Sequence, residues 1–261
     1  MPYVIALCHQ KGGVAKTTTA LALGACLVEQ QCETLLIDLD PQSNLTAGMG
    51  LDPLEVRRSA ADVLLGNETL IRVSRETGTP GLDLVPSNAD MLTVSHFLYL
   101  RAGYEYVLRD SLAQPGVAHY DVALIDCPPS LGEVTLTALT AADLVIVPTQ
   151  CEYFSVQALD STLKLVSLVR AKTNPRLAFR LLITMFDLRG KLHSRALAYL
   201  QNHFANALLQ TAIGVDTKLR ESQMIGQPVT AYAPHSRSAQ QYRQLAEELM
   251  TYVQRPVYQT A

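Results

Sequence analysis

Six apolar runs of strand length, interleaved with stretches of helical periodicity, constrain what this chain can fold into. The runs fall at 3–8, 34–40, 82–87, 121–128, 144–150 and 179–187. Helical patterns occupy 17–30, 89–112, 131–142, 155–172, 193–209 and 237–253, the last with Ser236 or Ser238 as its N-cap. The runs are continuously apolar rather than alternating, so both faces of each strand must be covered. The predicted fold is therefore α/β: a doubly wound, mostly parallel sheet with helices on both faces. No Pro/Gly/Ser-rich linker interrupts the chain, so 1–261 is expected to form a single domain. Segment 41–81 has the least periodicity.

Composition narrows the class further. Hydrophobic residues make up 48% of the 261 and charged residues 17%, which supports a large core and excludes disorder. No run of about 18 apolar residues is present, so no membrane-spanning helix is expected. The start, MPYVIALCHQ, lacks a basic leader and a small-residue cleavage site and reads as the first core strand. Five cysteines without a C-x-x-C pair suit a reducing cytoplasm and give no metal-ligand spacing. The net charge of −3 conceals an asymmetry. Residues 1–160 carry 8 Lys and Arg against 19 Asp and Glu, whereas residues 161–220 carry 10 against 2. Such a basic segment is either a polyanion-binding face or a set of ordinary solvated helix faces.

HQKGGVAKTTT, residues 9–19, joins the first strand to the first helix. A helix start offers unpaired N–H groups and the positive end of the helix dipole to an anion. Gly12 and Gly13 let the backbone wrap close to phosphate. Lys16 is positioned to reach the β- and γ-phosphates, Thr17 to give its hydroxyl to Mg²⁺, and Thr18 to donate to the α-phosphate. Yet the common pattern G-x-x-x-x-G-K-[ST] would need glycine at 10 and 15, where this chain has Gln10 and Ala15.

KGGVAKTT resembles the deviant Walker A box, KGGxxK[ST]T, of the ParA/Soj/MinD family of partition ATPases. The family lacks glycine at the place of Gln10 and has an additional lysine at the place of Lys11. The resemblance implies that Lys11 crosses an ATP-bridged dimer interface to the partner's nucleotide, acting like an arginine finger supplied in trans. Val14 lies within the same nucleotide-binding loop. Ala15 departs from the family's usual glycine; alanine is tolerated there if φ is negative and strained if φ is positive.

Other segments extend the resemblance over nearly the whole chain. LLIDLDPQSN (35–44) is similar to the family's DxDPQ motif, which implies that Asp40 orients the attacking water and Asp38 lies near Mg²⁺. ALIDCPPS (123–130) resembles a Walker B element with Asp126 holding Mg²⁺. PTQCEYFSVQAL (148–159) resembles a dimer-interface segment, with Glu152 in position for a cross-subunit contact. TMFDLR (184–189) matches a stretch near adenine, implying nucleotide roles for Met185 and Asp187. VDTKLRESQMIGQPV (215–229) resembles the family's IPRNVRLxEAPSxGxPV, whose arginines bind DNA. Lys218 takes the second arginine's place, Val215 the first, and Glu221 keeps an acidic position near adenine. Arg189, Lys191, Arg195, Lys218 and Arg220 are the expected DNA contacts.

The function so implied is a cytoplasmic, nucleoid-associated ATPase. It would bind ATP and Mg²⁺, form a homodimer with ATP, coat double-stranded DNA non-specifically and hydrolyse ATP slowly. A ParB-like or other cargo adaptor would stimulate it, in DNA partition or cargo positioning. No helix-turn-helix domain is expected ahead of the loop. The alternative is a MinD-like membrane-associated positioning ATPase, but the tail YVQRPVYQTA has one arginine and a proline, so no membrane partner is expected. An iron–sulfur carrier of the same superfamily would need cysteine spacing that is not seen.

Overall fold

The computed structural model describes residues 1–187 and 191–253, without the side chains of 153–156 and 191–194. Its strands are β1 (Tyr3–Leu7), β2 (Thr34–Asp38), β3 (Arg75–Glu76), β4 (Leu82–Val85), β5 (Val122–Asp126), β6 (Leu144–Gln150), β7 (Ala178–Phe186) and β8 (Leu208–Gly214). The first helices are α1 (Lys16–Glu29), α2 (Asn44–Gly48), α3 (Ala60–Leu65), α4 (Leu70–Val73), α5 (Met91–Tyr99) and α6 (Val107–Leu112). Then come α7 (Glu133–Ala141), α8 (Tyr153–Lys172), α9 (Lys191–Phe204), α10 (Thr217–Met224), α11 (Val229–Tyr232) and α12 (Arg237–Val253).

Among the described residues the strands form one eight-stranded sheet in the order β3-β4-β2-β5-β1-β6-β7-β8. Only the β3–β4 pair is antiparallel. The expected doubly wound parallel sheet is thus the one observed. Strands β2, β5 and β6 are buried along their whole length, as their unbroken apolar sequences require. One face carries a core built with α3, α5, α6, α7 and α8. The other packs mainly against α1 and α12. Those two helices are tied by a buried hydrogen bond between Thr19 Oγ1 and the Tyr242 hydroxyl at 3.1 Å. Arg243 also grips both oxygens of Glu29, at 2.6 and 2.9 Å.

The register places the chemistry. Asp38 at the end of β2 is the lateral partner of Asp126 at the end of β5, and Asp126 is the partner of Leu7 at the end of β1. The loop leaving β1 and two acidic strand ends therefore meet at the carboxyl edge of the sheet. There the winding reverses, and α/β proteins of this kind bind ligands in that crevice.

Several expected elements need correction. The helical pattern at 89–112 is broken: α5 stops at Tyr99, Gly103 adopts φ 72°, and a 3₁₀ turn leads into α6. The helix expected to reach 209 ends at Phe204, and Leu208–Gly214 forms the edge strand β8. Gln210 and Thr211 interrupt its apolar run, and their N–H groups are satisfied by Glu248 rather than by a further strand. Segment 41–81 holds the short elements α2, α3, α4 and β3, all shorter than a periodicity can register. Of the two serines considered as cap for α12, Ser236 accepts from the Ala239 N–H at 3.2 Å. Among the described residues no helix is long and apolar enough to cross a membrane.

Candidate active site

The loop between β1 and α1 is fastened at both ends. The Thr184 hydroxyl donates to the Val14 carbonyl at 3.0 Å, and Gln150 Nε2 donates to the Gly13 carbonyl at 2.9 Å. The Lys11 N–H donates to His9 Nδ1 at 2.9 Å. Val14 is fully buried, while Gly12 and Gly13 are exposed towards the cleft. Ala15 precedes α1 with φ 70° and ψ 32°, the left-handed region, and makes no side-chain cap. Of the two cases open to alanine here, the strained one is therefore observed. No acidic residue stands in the first turn of α1. The helix start is thus an uncapped anion site with Lys16 beside it, 7% exposed.

Opposite the loop, three carboxylates converge. Asp38 is fully buried; its Oδ1 accepts from the Asp40 N–H at 3.1 Å, and its Oδ2 from the Thr46 N–H and hydroxyl at 2.9 and 2.7 Å. Burial pushes its pKa up to about 6, against the pull of those hydrogen bonds. Asp40 lines the cleft, and its Oδ1 accepts from the Gln42 N–H at 2.9 Å. Asp126 is fully buried, and neither of its oxygens has a hydrogen-bond partner of good geometry. Burial, then the charge on Asp38, holds its pKa well above the carboxylate range, although the Thr17 hydroxyl and Lys16 pull it down. Two orphaned acceptors beside a hydroxyl and further carboxylates are the donor set of a hard divalent cation. The residues present therefore fit Mg²⁺, with Asp126 and Thr17 best placed to hold it. Asp38 already accepts three protein hydrogen bonds and serves to brace the Asp40 loop.

Between these walls lies a cleft of about 720 Å³. Gly12, Gly13, Ala15, Lys16, Thr17, Thr18, Asp40 and Met185 line it, so most of the residues expected from sequence meet in one place. Asp187 lies just past β7, outside that lining. Glu221 also lies outside it: its carboxylate accepts from Lys218 Nζ at 2.7 Å and from the Tyr232 hydroxyl at 2.8 Å. Lys11 Nζ donates to Gln150 Oε1 and Glu152 Oε2, each at 3.0 Å, so within one chain the two expected interface residues pair with each other. Arg220 lines the cleft, Lys218 and Arg195 are exposed, the Lys191 side chain is not described, and Arg189 lies outside the described residues.

Sequence reading missed three residues that organise the site. Gln150 bridges Lys11, the Gly13 carbonyl and, at 2.7 Å, the Met185 sulfur. Thr46 fixes Asp38 and accepts from the Ser87 N–H at 2.9 Å. Gln223 reaches Thr18. Gln150 and Gln223 lie inside quoted segments and Thr46 two residues past one, but only the folded geometry shows what they touch.

Comparisons with known proteins identify the family. Residues 3–179 match the family model described as AAA domain. The chain is 38% identical to the chromosome partitioning protein ParA of Caulobacter vibrioides, covering 95% of this chain and 94% of that one. It is 36% identical to the sporulation initiation inhibitor protein Soj of Bacillus subtilis, covering 95% and 98%. The structure of a Mycobacterium smegmatis protein named cobyrinic acid a,c-diamide synthase, solved with an ATP analog and magnesium, is 36% identical. It superposes with a TM-score of 0.87, covering 97% of this chain and 96% of that one. With its strand–loop–helix phosphate site, paired acidic strand ends and these relatives, the chain belongs to the ParA/Soj family of P-loop partition ATPases.

Proposed function

We propose that this protein is a nucleotide-switched DNA-binding ATPase that moves DNA or another cargo. The observation that carries this reading is the cleft itself. A helix start, Lys16 and Thr17 line one end, with buried Asp126 against the Thr17 hydroxyl, and the cation-bearing helix α10 forms a wall. In this reading the N–H groups opening α1 and Lys16 bind the phosphates, and Thr18 donates to one of them. Thr17 and Asp126 would hold Mg²⁺, which would supply charge neutralisation on the phosphates. Asp40, oriented by its hydrogen bond from Gln42, aligns a water for attack on the terminal phosphate. Lys11, released from Glu152, reaches the partner's nucleotide in a face-to-face dimer.

Dimerisation doubles the cationic surface and so links ATP to DNA binding. Hydrolysis by each chain is slow, and a ParB-like adaptor accelerates it to release the DNA. Arg237 supports the DNA reading. Its guanidinium donates to the Val215 carbonyl and packs against Gly214, which puts a cation beside the residue that replaces the family's first arginine. The exposed basic side chains need no base readout, since phosphate neutralisation and counterion release suffice. Partition rather than membrane positioning is favoured because Lys218 and Arg220 stand on α10, a wall of the cleft, where a bound nucleotide can govern them.

The test is retention of an unrelated DNA duplex without nucleotide, with ADP and with ATP, each at two salt concentrations. Binding confined to ATP and weakened by salt is the expected result. Equal binding in all three nucleotide conditions, or none in any, refutes the switch.

A further inference from the structure

Helix α10 presents two unlike faces. Asp216, Leu219, Arg220, Gln223 and Met224, spaced as one helical stripe, line the cleft. Lys218 and Glu221 pair away from it, with Lys218 also over the Tyr232 ring. A single polar bond ties the inner stripe to the phosphate loop: Gln223 Nε2 donates to Thr18 Oγ1 at 2.9 Å, across 205 residues of sequence. A hydroxyl that accepts one hydrogen bond still has its own proton to give. Thr18, in the first turn of α1, therefore has a donor available for a phosphate oxygen in the cleft.

We propose that Gln223 is a positioning residue that couples occupancy of the phosphate loop to the placement of α10. It does so through the relay Gln223 amide to Thr18 hydroxyl to nucleotide phosphate. This rests on the nucleotide reading above. An anion accepting the Thr18 proton polarises the hydroxyl and strengthens its acceptance from Gln223. Binding therefore favours the state in which α10 is drawn against the loop, which is the differential contact a ligand needs to shift a conformation. A backbone approach lies beside it, just past the same C-terminal end of α10, where Gly226 abuts Gly50 just past α2. The helix carrying Lys218 and Arg220 is thus tied through Gln223 to the hydroxyl where a nucleotide would act, and its outward face follows the inward one.

The chain contains no tryptophan, so one introduced residue reports alone. Ile225 immediately follows α10, is 54% exposed and does not line the cleft. The experiment follows the emission of I225W, I225W/Q223L, I225W/T18V and the triple variant with a non-hydrolysable ATP analogue and Mg²⁺. Calorimetry on the same proteins fixes saturation. We expect an emission change in I225W that falls in amplitude at least about fivefold in either double variant, with the triple no worse than the doubles. Calorimetry should show several-fold weaker binding in I225W/Q223L, with saturation still reached. A full emission change at saturation in I225W/Q223L overturns the proposal. Calorimetric binding by I225W without any emission change overturns the coupling alone. No calorimetric binding by I225W overturns the nucleotide reading and the coupling with it.

Discussion

Ala15 shows how a single side chain sets the character of the loop. Its φ of 70° brings Cβ close to the following carbonyl, a conformation glycine adopts freely. Met185 and Ser43, with φ of 50° and 53°, sit in two other segments that build the cleft. Three of the four non-glycine residues with positive φ among those described thus belong to the site, where strain is commonly held by its surroundings. Ala15→Gly should relieve about 1 kcal/mol, less the extra freedom glycine gains in the unfolded chain. The expected outcome is a small net gain, a midpoint of thermal unfolding higher by about 1 °C. A lower midpoint would show that the loop gains more from a stiff unfolded chain than it loses to strain. The residue types at this loop were legible in the sequence because each has a chemical reason to be there. The sign of φ at Ala15 was not, since the Gln150 and Thr184 hydrogen bonds that hold the loop come from strands more than a hundred residues away.

At the scale of elements, the Asp40 loop is held by a hub that no motif announces. Thr46 in α2 gives its N–H and hydroxyl to Asp38 and takes the Ser87 N–H, linking β2, α2 and the end of β4 in one buried network. Thr46→Val keeps the shape but leaves a buried carboxylate oxygen short of a donor and the Ser87 N–H without an acceptor. The expected loss is about 2 kcal/mol in denaturant-induced unfolding, and a change below about 0.5 kcal/mol would show that the hub contributes little. The loops after α2 and α10 meet through two glycines. A Cβ on Gly226 would stand 2.7 Å from the Gly50 Cα, and its φ is +67°. Gly226→Ala therefore faces overlap with backbone as well as strain, and should cost at least about 2 kcal/mol by the same measurement. A neutral result would mean that the two loops separate easily. Long buried strands were readable because their apolar runs are unbroken. The edge strand β8 and the short helices α2 and α10 were not, because tertiary partners rather than periodicity determine them. Asp216 illustrates this by capping α10 with one oxygen while holding the Ser238 N–H with the other.

Across the whole molecule, the cations proposed to meet DNA differ in their surroundings. Lys218 is engaged by Glu221 at 2.7 Å, so under the proposed function DNA would compete with an existing ion pair there. Arg237 is exposed and hydrogen-bonded to a backbone carbonyl, and the nearby Asp216 carboxylate offsets only part of its charge, so it can still meet phosphate. Each phosphate neutralised releases condensed counterions and adds about one to the slope of log affinity against log salt. Arg237→Ala should therefore reduce that slope by about one for each protomer bound, and weaken binding to unrelated duplexes uniformly. Arg237→Lys should restore most of the slope, since charge rather than fork geometry acts at a phosphate. Lys218→Ala should lower the slope by less, because it also frees Glu221 from its partner. An unchanged slope in Arg237→Ala, with ATP-dependent DNA retention intact, would move the DNA face away from the β8–α12 corner and towards Arg195 on α9.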